Sequence, residues 1–233
     1  TFLLNTAEEE GTDDIDMTNT DDDCTFILPI LKASSLNTTY GNKDKLDFNL
    51  TSAGQAYNDI NAIISISKNG TFVANYTALT GQGWVVDLPA GKYIAILTIP
   101  NSKVLPAYIS INVAKVSTNI SASDVSTIYN EDEYLVVNLT DGKGMPLSGV
   151  EVSITLDSAK TYTSDENGQI KINVANLAPK AYVANISFAG NDNYMESSAS
   201  AKVTVNKIST KITASAVSAI YNKNKYLVVK LTD

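Results

Sequence analysis

The chain has 233 residues, 44 % of them hydrophobic, with 25 acidic and 17 basic residues and a net charge of −8. Histidine and arginine are both absent, so every basic side chain is a lysine; the commonest general base, the commonest metal ligand and the fork best suited to phosphate are missing, and a Ser-His-Asp triad is excluded. The charge is also uneven: nine acids lie between Glu8 and Asp23, and the rest of the chain, with 16 acids against 17 lysines, is nearly neutral and carries no basic footprint for nucleic acid.

Residues 1–25 are acidic, rich in Thr and Asn, and without periodicity. So little apolar surface cannot offset the entropy of ordering, which predicts a disordered N-terminal segment. Asp21, Asp22 and Asp23 lack the alternating spacing of a calcium loop. Phe2-Leu3-Leu4 ahead of Thr6-Ala7 has the look of the stub of an export signal. Cys24 is the single cysteine, so no internal disulfide forms; it is either an idle thiol or an anchor to another molecule. No stretch approaches the roughly 18 apolar residues of a membrane span. The chain stops inside a repeat, which reads as a piece of a longer protein.

A first unit is expected over residues 26–115. Residues 26–30 read as an edge strand, since Pro29 inside a strand is tolerated mainly at an edge. Residues 46–50 alternate apolar and polar, as a half-buried strand does. Residues 63–67 and 72–76 flank Asn69-Gly70, a type I′ hairpin signal. Trp84, Val86 and Leu88 alternate, and residues 93–99 and 109–113 close the unit.

A second unit is expected over residues 116–207. Its strands fall at residues 116–122, 134–140, 150–156, 161–163, 170–174, 182–188 and 201–205, with Gly- and Asn-rich turns between them. About seven short strands in such a length indicate antiparallel sandwiches of immunoglobulin type, with a small β-barrel as the alternative. The fold class is therefore all-β, as tandem immunoglobulin-like sandwiches.

The tandem reading rests on self-similarity. Residues 116–141 match residues 208–233 at 17 of 26 positions with an offset of 92, and residues 31–51 match residues 120–140 at an offset of 89. Residues 208–233 thus form the truncated start of a third repeat. Its apolar face is expected to be frayed, packed on the second unit, or paired with another chain by strand addition; the chain is otherwise expected to be a monomer.

The run Asp141-x-x-Gly144-x-Pro146-Leu147-x-Gly149-Val150-x-Val152 is followed by Thr163-x-Asp165-x-Asn167-Gly168 and by Phe188-Ala189-Gly190-Asn191-x-x-Tyr194. This pattern resembles the bacterial-immunoglobulin-like repeats of surface adhesins. With the Tyr129-Asn130 pair and the Lys/Asn/Ile/Tyr bias it is similar to the adhesin-like proteins of methanogenic archaea. The first unit lacks the Gly-x-Pro-x-x-Gly run. The resemblance implies an extracellular module at the cell surface or cell wall, without enzyme activity or cofactor, that serves as a spacer or stalk in adhesion. The alternative is a module that itself grips a glycan or protein of another cell.

Seven Asn-x-Ser/Thr sequons occur, at Asn37, Asn49, Asn69, Asn75, Asn119, Asn138 and Asn185. Asn49, Asn69, Asn138 and Asn185 are the candidate N-glycosylation sites. Asn49 and Asn138 are equivalent across units, and both are expected to face solvent. A glycosidase-type carboxylate pair needs a cleft that a sandwich does not readily offer. A Lys–Asn isopeptide crosslink needs an inward lysine, whereas Lys171 and Lys202 alternate with apolar neighbours and point outward. Trp84 is expected in the core rather than on a sugar platform, and Tyr129, Tyr134 and Tyr182 are expected to pack with hydroxyls at the rim. No catalytic, cofactor or metal residue is assigned.

Overall fold

The computed structural model describes residues 28–233, and every regular element among them is a strand. The acidic segment, Asp21–Asp23, Cys24 and the start of the strand expected at residues 26–30 lie outside the described residues.

The first half supplies β1 (Ile30–Ala33), β2 (Leu36–Thr39), β3 (Lys45–Leu46), β4 (Phe48–Ser52) and β5 (Gln55–Tyr57). It continues with β6 (Asn61–Lys68), β7 (Thr71–Leu79), β8 (Trp84–Val85), β9 (Gly91–Thr98) and β10 (Ala107–Ala114). The second half supplies β11 (Thr118–Ala122), β12 (Val125–Ile128), β13 (Tyr134–Asp141) and β14 (Glu151–Thr155). It continues with β15 (Ala159–Thr163), β16 (Gln169–Asn173), β17 (Ala181–Phe188) and β18 (Ser197–Asn206). A ribbon of β19 (Lys211–Ala214) and β20 (Val229–Thr232) follows.

Each half is a pair of sheets. The first has a three-stranded sheet, β1-β4-β5, against a five-stranded one, β2-β10-β9-β6-β7; the second has β11-β13-β16 against β12-β18-β17-β14-β15. Two facing sheets, not one closed sheet, make each half a sandwich rather than a barrel. Alternation drives the packing, because side chains on a strand point to opposite faces in turn. On β13 that buries Leu135, Val137 and Leu139, and on β17 it buries Tyr182, Ala184, Ile186 and Phe188. The first core gathers Phe48, Ile64, Ile66, Leu97 and Ile111, and the second gathers Leu135, Leu139, Ile154 and Ile186, all with almost no exposed surface.

The repeats share one register. Leu31 pairs with Leu50, Ile120 with Leu139, and Ile212 with Leu231, at the same offsets that align the sequences. Each half also has a short strand that leaves the first sheet and pairs in parallel with the last strand of the other: β2 with β10, and β12 with β18. These strands are not evident in the sequence, being four residues each and lacking a hairpin partner. Another difference is at the start. Of the strand expected at residues 26–30, Leu28 and Pro29 are not in a strand and β1 begins at Ile30, the proline supplying no N–H to a ladder.

A buried tyrosine staples each sandwich in the same way. Tyr93 donates its hydroxyl to Pro89 O at 2.8 Å, and Tyr182 donates to Ala178 O at 2.9 Å. Lys68 sits over the Tyr93 ring at 5.3 Å and Lys180 over the Tyr182 ring at 4.5 Å. Tyr129 and Tyr134, by contrast, are 38 % and 45 % exposed, so the rim packing expected of all three tyrosines holds for Tyr182 alone.

The ribbon is open. Every residue from Asn206 to Leu231 is exposed, including Ile212, Leu227, Val228 and Leu231. Of the fates expected for its apolar face, packing onto the second sandwich is not the one observed.

Gly168 closes the turn after Asp165. It has φ +69, and a Cβ there would lie 2.5 Å from Leu139 O and 3.0 Å from Leu147 N. Asp165 Oδ1 accepts from Asn167 N and Gln169 N at 2.9 and 2.8 Å, which fixes the turn against β13. Gly168→Ala is therefore expected to destabilise the second sandwich by roughly 2–3 kcal/mol, read as a lower urea midpoint for this half with the first half unchanged.

Candidate functional site

The point where function concentrates is the junction between the sandwiches. β10 runs through Lys115, Val116 and Ser117 into β11. Val116 is buried, bridges in parallel to Tyr194, donates its N–H to Asn193 O at 2.9 Å, and accepts from Met195 N on its own carbonyl at 2.8 Å. The linker is thereby a strand edge rather than a free tether.

The loop it binds, between β17 and β18, is shaped from within. Asn191 Oδ1 accepts from Asn193 N and Tyr194 N, both at 2.9 Å, and Gly190 has φ +77 with no room for a Cβ beside Tyr194 O at 2.9 Å. The same loop reaches across to the first sandwich. Ala90 N donates to Asn193 Oδ1 at 3.0 Å, and the Tyr194 ring meets Tyr40 edge-on at 5.9 Å and 84°. Lys143 Nζ donates to Asn42 Oδ1 at 2.7 Å, and Lys115 Nζ to Asn191 O at 2.6 Å. One backbone amide, one aromatic edge and two ammonium groups thus lock the turns of one sandwich to the loops of the next.

Burial, then Tyr40, then Asp141, raise the Tyr194 phenol above its ordinary value of 10.0. The neutral form is favoured in the folded state. Its contribution is complete below the unfolded value and is lost as pH rises through the higher folded one.

The turn that carries Tyr40 recurs. Tyr40 N donates to Ala114 O at 3.0 Å and Tyr129 N to Asn206 O at 2.9 Å. Asn42 N, Glu131 N and Lys223 N each close onto the carbonyl three residues earlier, at 3.0, 3.1 and 3.0 Å. Gly41, Asn130 and Asn222 occupy the left-handed conformation in the three copies, which Asn tolerates better than other side chains.

The sequons are scattered over the strands. Asn49 is exposed on β4 opposite Lys32, Asn69 is exposed at the β6–β7 turn with φ 51, and Asn185 is exposed on β17. Asn138 is half-buried, and its carboxamide oxygen accepts from Gln169 Nε2 at 2.9 Å, so it does not stand free in solvent as Asn49 does. Trp84 is buried and packs on Tyr76 at 4.6 Å, which removes it as a sugar platform. Lys171 and Lys202 are exposed. Among the described residues no group of three or more His, Cys, Asp or Glu side chains is placed to hold a metal. Among the described residues no helix is long and apolar enough to cross a membrane.

The outer faces of the two five-stranded sheets differ. In the first, Tyr108 lies opposite Ile96, and Ile94 opposite Ser67, with Phe72 beyond on β7. The matching places in the second, taken through the Tyr93 and Tyr182 pairs, are Ser200, Asn185 and Val183. Tyr108 and Phe72 are 71 % and 63 % exposed.

Paired sheets, the cross-sheet strand and the stapling tyrosine define the class: two immunoglobulin-like sandwiches in tandem. No protein-family model matches the chain, and no curated protein is similar to it in sequence. Similar solved structures include the titin domains Z1Z2 in complex with telethonin, at 12 % identity and a TM-score of 0.40 over 78 % of this chain and 98 % of that one. Domains 4 and 5 of the S-layer protein SbsC match at 15 % and 0.34 over 77 % and 98 %. The fibronectin(III)-like modules of Clostridium thermocellum CbhA match at 10 % and 0.31 over 76 % and 94 %.

Asn193→Ala with Lys143→Ala removes two bonds of the lock while leaving both cores intact. Each bond is worth about 1 kcal/mol. The expected outcome is freer relative motion of the sandwiches by NMR relaxation, with both melting transitions nearly unmoved. In an alkaline absorbance titration Tyr194 is expected to ionise late, above 10.0, and Tyr194→Phe is expected to remove that step.

Proposed function

We propose that this chain is a non-catalytic extracellular repeat module of an adhesin-like surface protein, similar to those of methanogenic archaea, and that it acts as a spacer in cell adhesion. The units are residues 26–115, 116–207 and 208–233, with an acidic segment ahead of them. The observation that carries the reading is the junction: the linker is bonded into a loop of the second sandwich, and that same loop is bonded to a turn of the first. A stalk needs such fixed joints, since reach is lost when a linker behaves as a free coil. The exposed Asn49, Asn69 and Asn185, with half-buried Asn138, are the proposed carriers of glycan, detectable as modified peptides by mass spectrometry of the protein from its native cell.

Small-angle scattering of residues 26–207 tests the spacer. A single extended form that loosens on Asn193→Ala/Lys143→Ala is expected; a broad distribution of shapes in the unaltered protein would sink the reading. A second reading is favoured by one observation, the exposed Tyr108, Ile94 and Phe72 on one sheet. There the first sandwich itself holds a glycan or protein of another cell. A glycan-array signal abolished by Tyr108→Ala in a folded protein would establish it, and silence across the array would leave the spacer.

A further inference from the structure

We infer that β7 is a pairing edge, and that its partner is β7 of a second copy of this chain, added antiparallel so that two five-stranded sheets become one. β7 lies at the outer edge of its sheet, in the order β2-β10-β9-β6-β7. Its nine residues, TFVANYTAL, carry no charge and no proline. Exposed edges are ordinarily guarded by lysine, proline, bulges or short length, because a row of free N–H and C=O groups templates another strand. The strand at the same edge of the second sandwich is guarded: β15 has five residues, AKTYT, and includes Lys160. β7 has one guard, a register shift against β6 between Ile66 and Ser67 that leaves Val73 unpaired. The shift sits near the turn, and residues 74–79 continue in unbroken register beyond it.

The charge pattern selects the partner. An uncharged strand offers nothing to an acidic or basic peptide, but it is its own complement, since antiparallel self-pairing sets like beside like and charged edges repel. The chain outside its acidic segment is close to neutral, with 16 acids against 17 lysines, so the part that carries β7 adds little repulsion between copies. To keep both cores on the same side, paired residues must share a face. Pairing about Tyr76 does this and places Asn75 opposite Thr77 and Ala74 opposite Ala78. Five paired residues on each strand, 74–78, make a small interface, so the dissociation constant is expected on the order of 0.1–1 mM. This inference is independent of the spacer reading.

The test is sedimentation velocity on the full chain from about 10 µM to about 1 mM. The background carries Cys24→Ser, which silences the thiol, and Leu231→Lys, which charges the open ribbon. Asn75→Lys/Thr77→Lys adds charge at exposed positions of β7 and sets lysine opposite lysine in the pair. Tyr108→Lys adds one on the exposed face two strands and more away. Concentration-dependent dimer that weakens at least tenfold with the β7 pair and is unmoved by Tyr108→Lys supports the proposal. Monomer at every concentration overturns it. So does dimer indifferent to the β7 pair, and so does any loss caused by Tyr108→Lys, which would place the contact on the sheet face.

Discussion

The rest of the molecule depends on the register between the first strand of each repeat and the strand that follows it in the same sheet. Setting Leu31 against Leu50, and Ile120 against Leu139, puts Phe48 and Leu50 of β4 and Leu135, Val137 and Leu139 of β13 on the inner face. A slip of one residue would turn Leu135, Val137 and Leu139 out to water and leave Ile154 and Ile186 without a partner layer. The ribbon at the end of the chain keeps this register even though its apolar residues are exposed. Local pairing therefore holds it where no opposing sheet is packed on it. The switch strands β2 and β12 then carry the chain to the second sheet and tie the two layers at their edges.

Much of this was legible from spacing. Alternation marked the inward residues of β13, β14, β16 and β17, and it placed Trp84 in the core with Val86 and Leu88. The Asn69-Gly70 pair marked a hairpin whose two central residues both adopt left-handed backbone, whereas nothing marked Ala53-Gly54, which do the same between β4 and β5. What was not legible was anything set by distant neighbours. β2 and β12 pair with strands some 75 residues away, so nothing local announces them. Tyr129 and Tyr182 look alike in sequence, yet Tyr182 finds a carbonyl four residues back while Tyr129 stays exposed. Asn49 and Asn138 align in the repeat, but only Asn138 has Gln169 beside it.

The junction illustrates the same limit. Residues 189–192 read as a turn, and they lie in the loop between β17 and β18. Its second role required knowing that Ala90, 103 residues earlier, lies within 3.0 Å of the Asn193 side chain. The two sandwiches also diverge where no core constrains them: the first has exposed Tyr108, Ile94 and Phe72 on its outer face and a long, uncharged edge strand, while the second has Ser200 and Asn185 at matching places and a short edge strand that carries Lys160. Like architectures with unlike surfaces are what a fold does when packing is constrained and the exterior is free to specialise.

The lock has a consequence for how such a chain can change over generations. Its halves are divided between neighbours: the Tyr40 turn belongs to the repeat before the joint, and the Tyr194 loop to the repeat after it. The same turn stands at Tyr129 with the same backbone bonds, and again at Tyr221 with the bond that closes the turn. An unequal crossover between the genes' matching segments exchanges whole periods and leaves each turn in its proper place before the next loop. Copies can then be gained or dropped without inventing a new joint, so length becomes a heritable variable that drifts independently of fold.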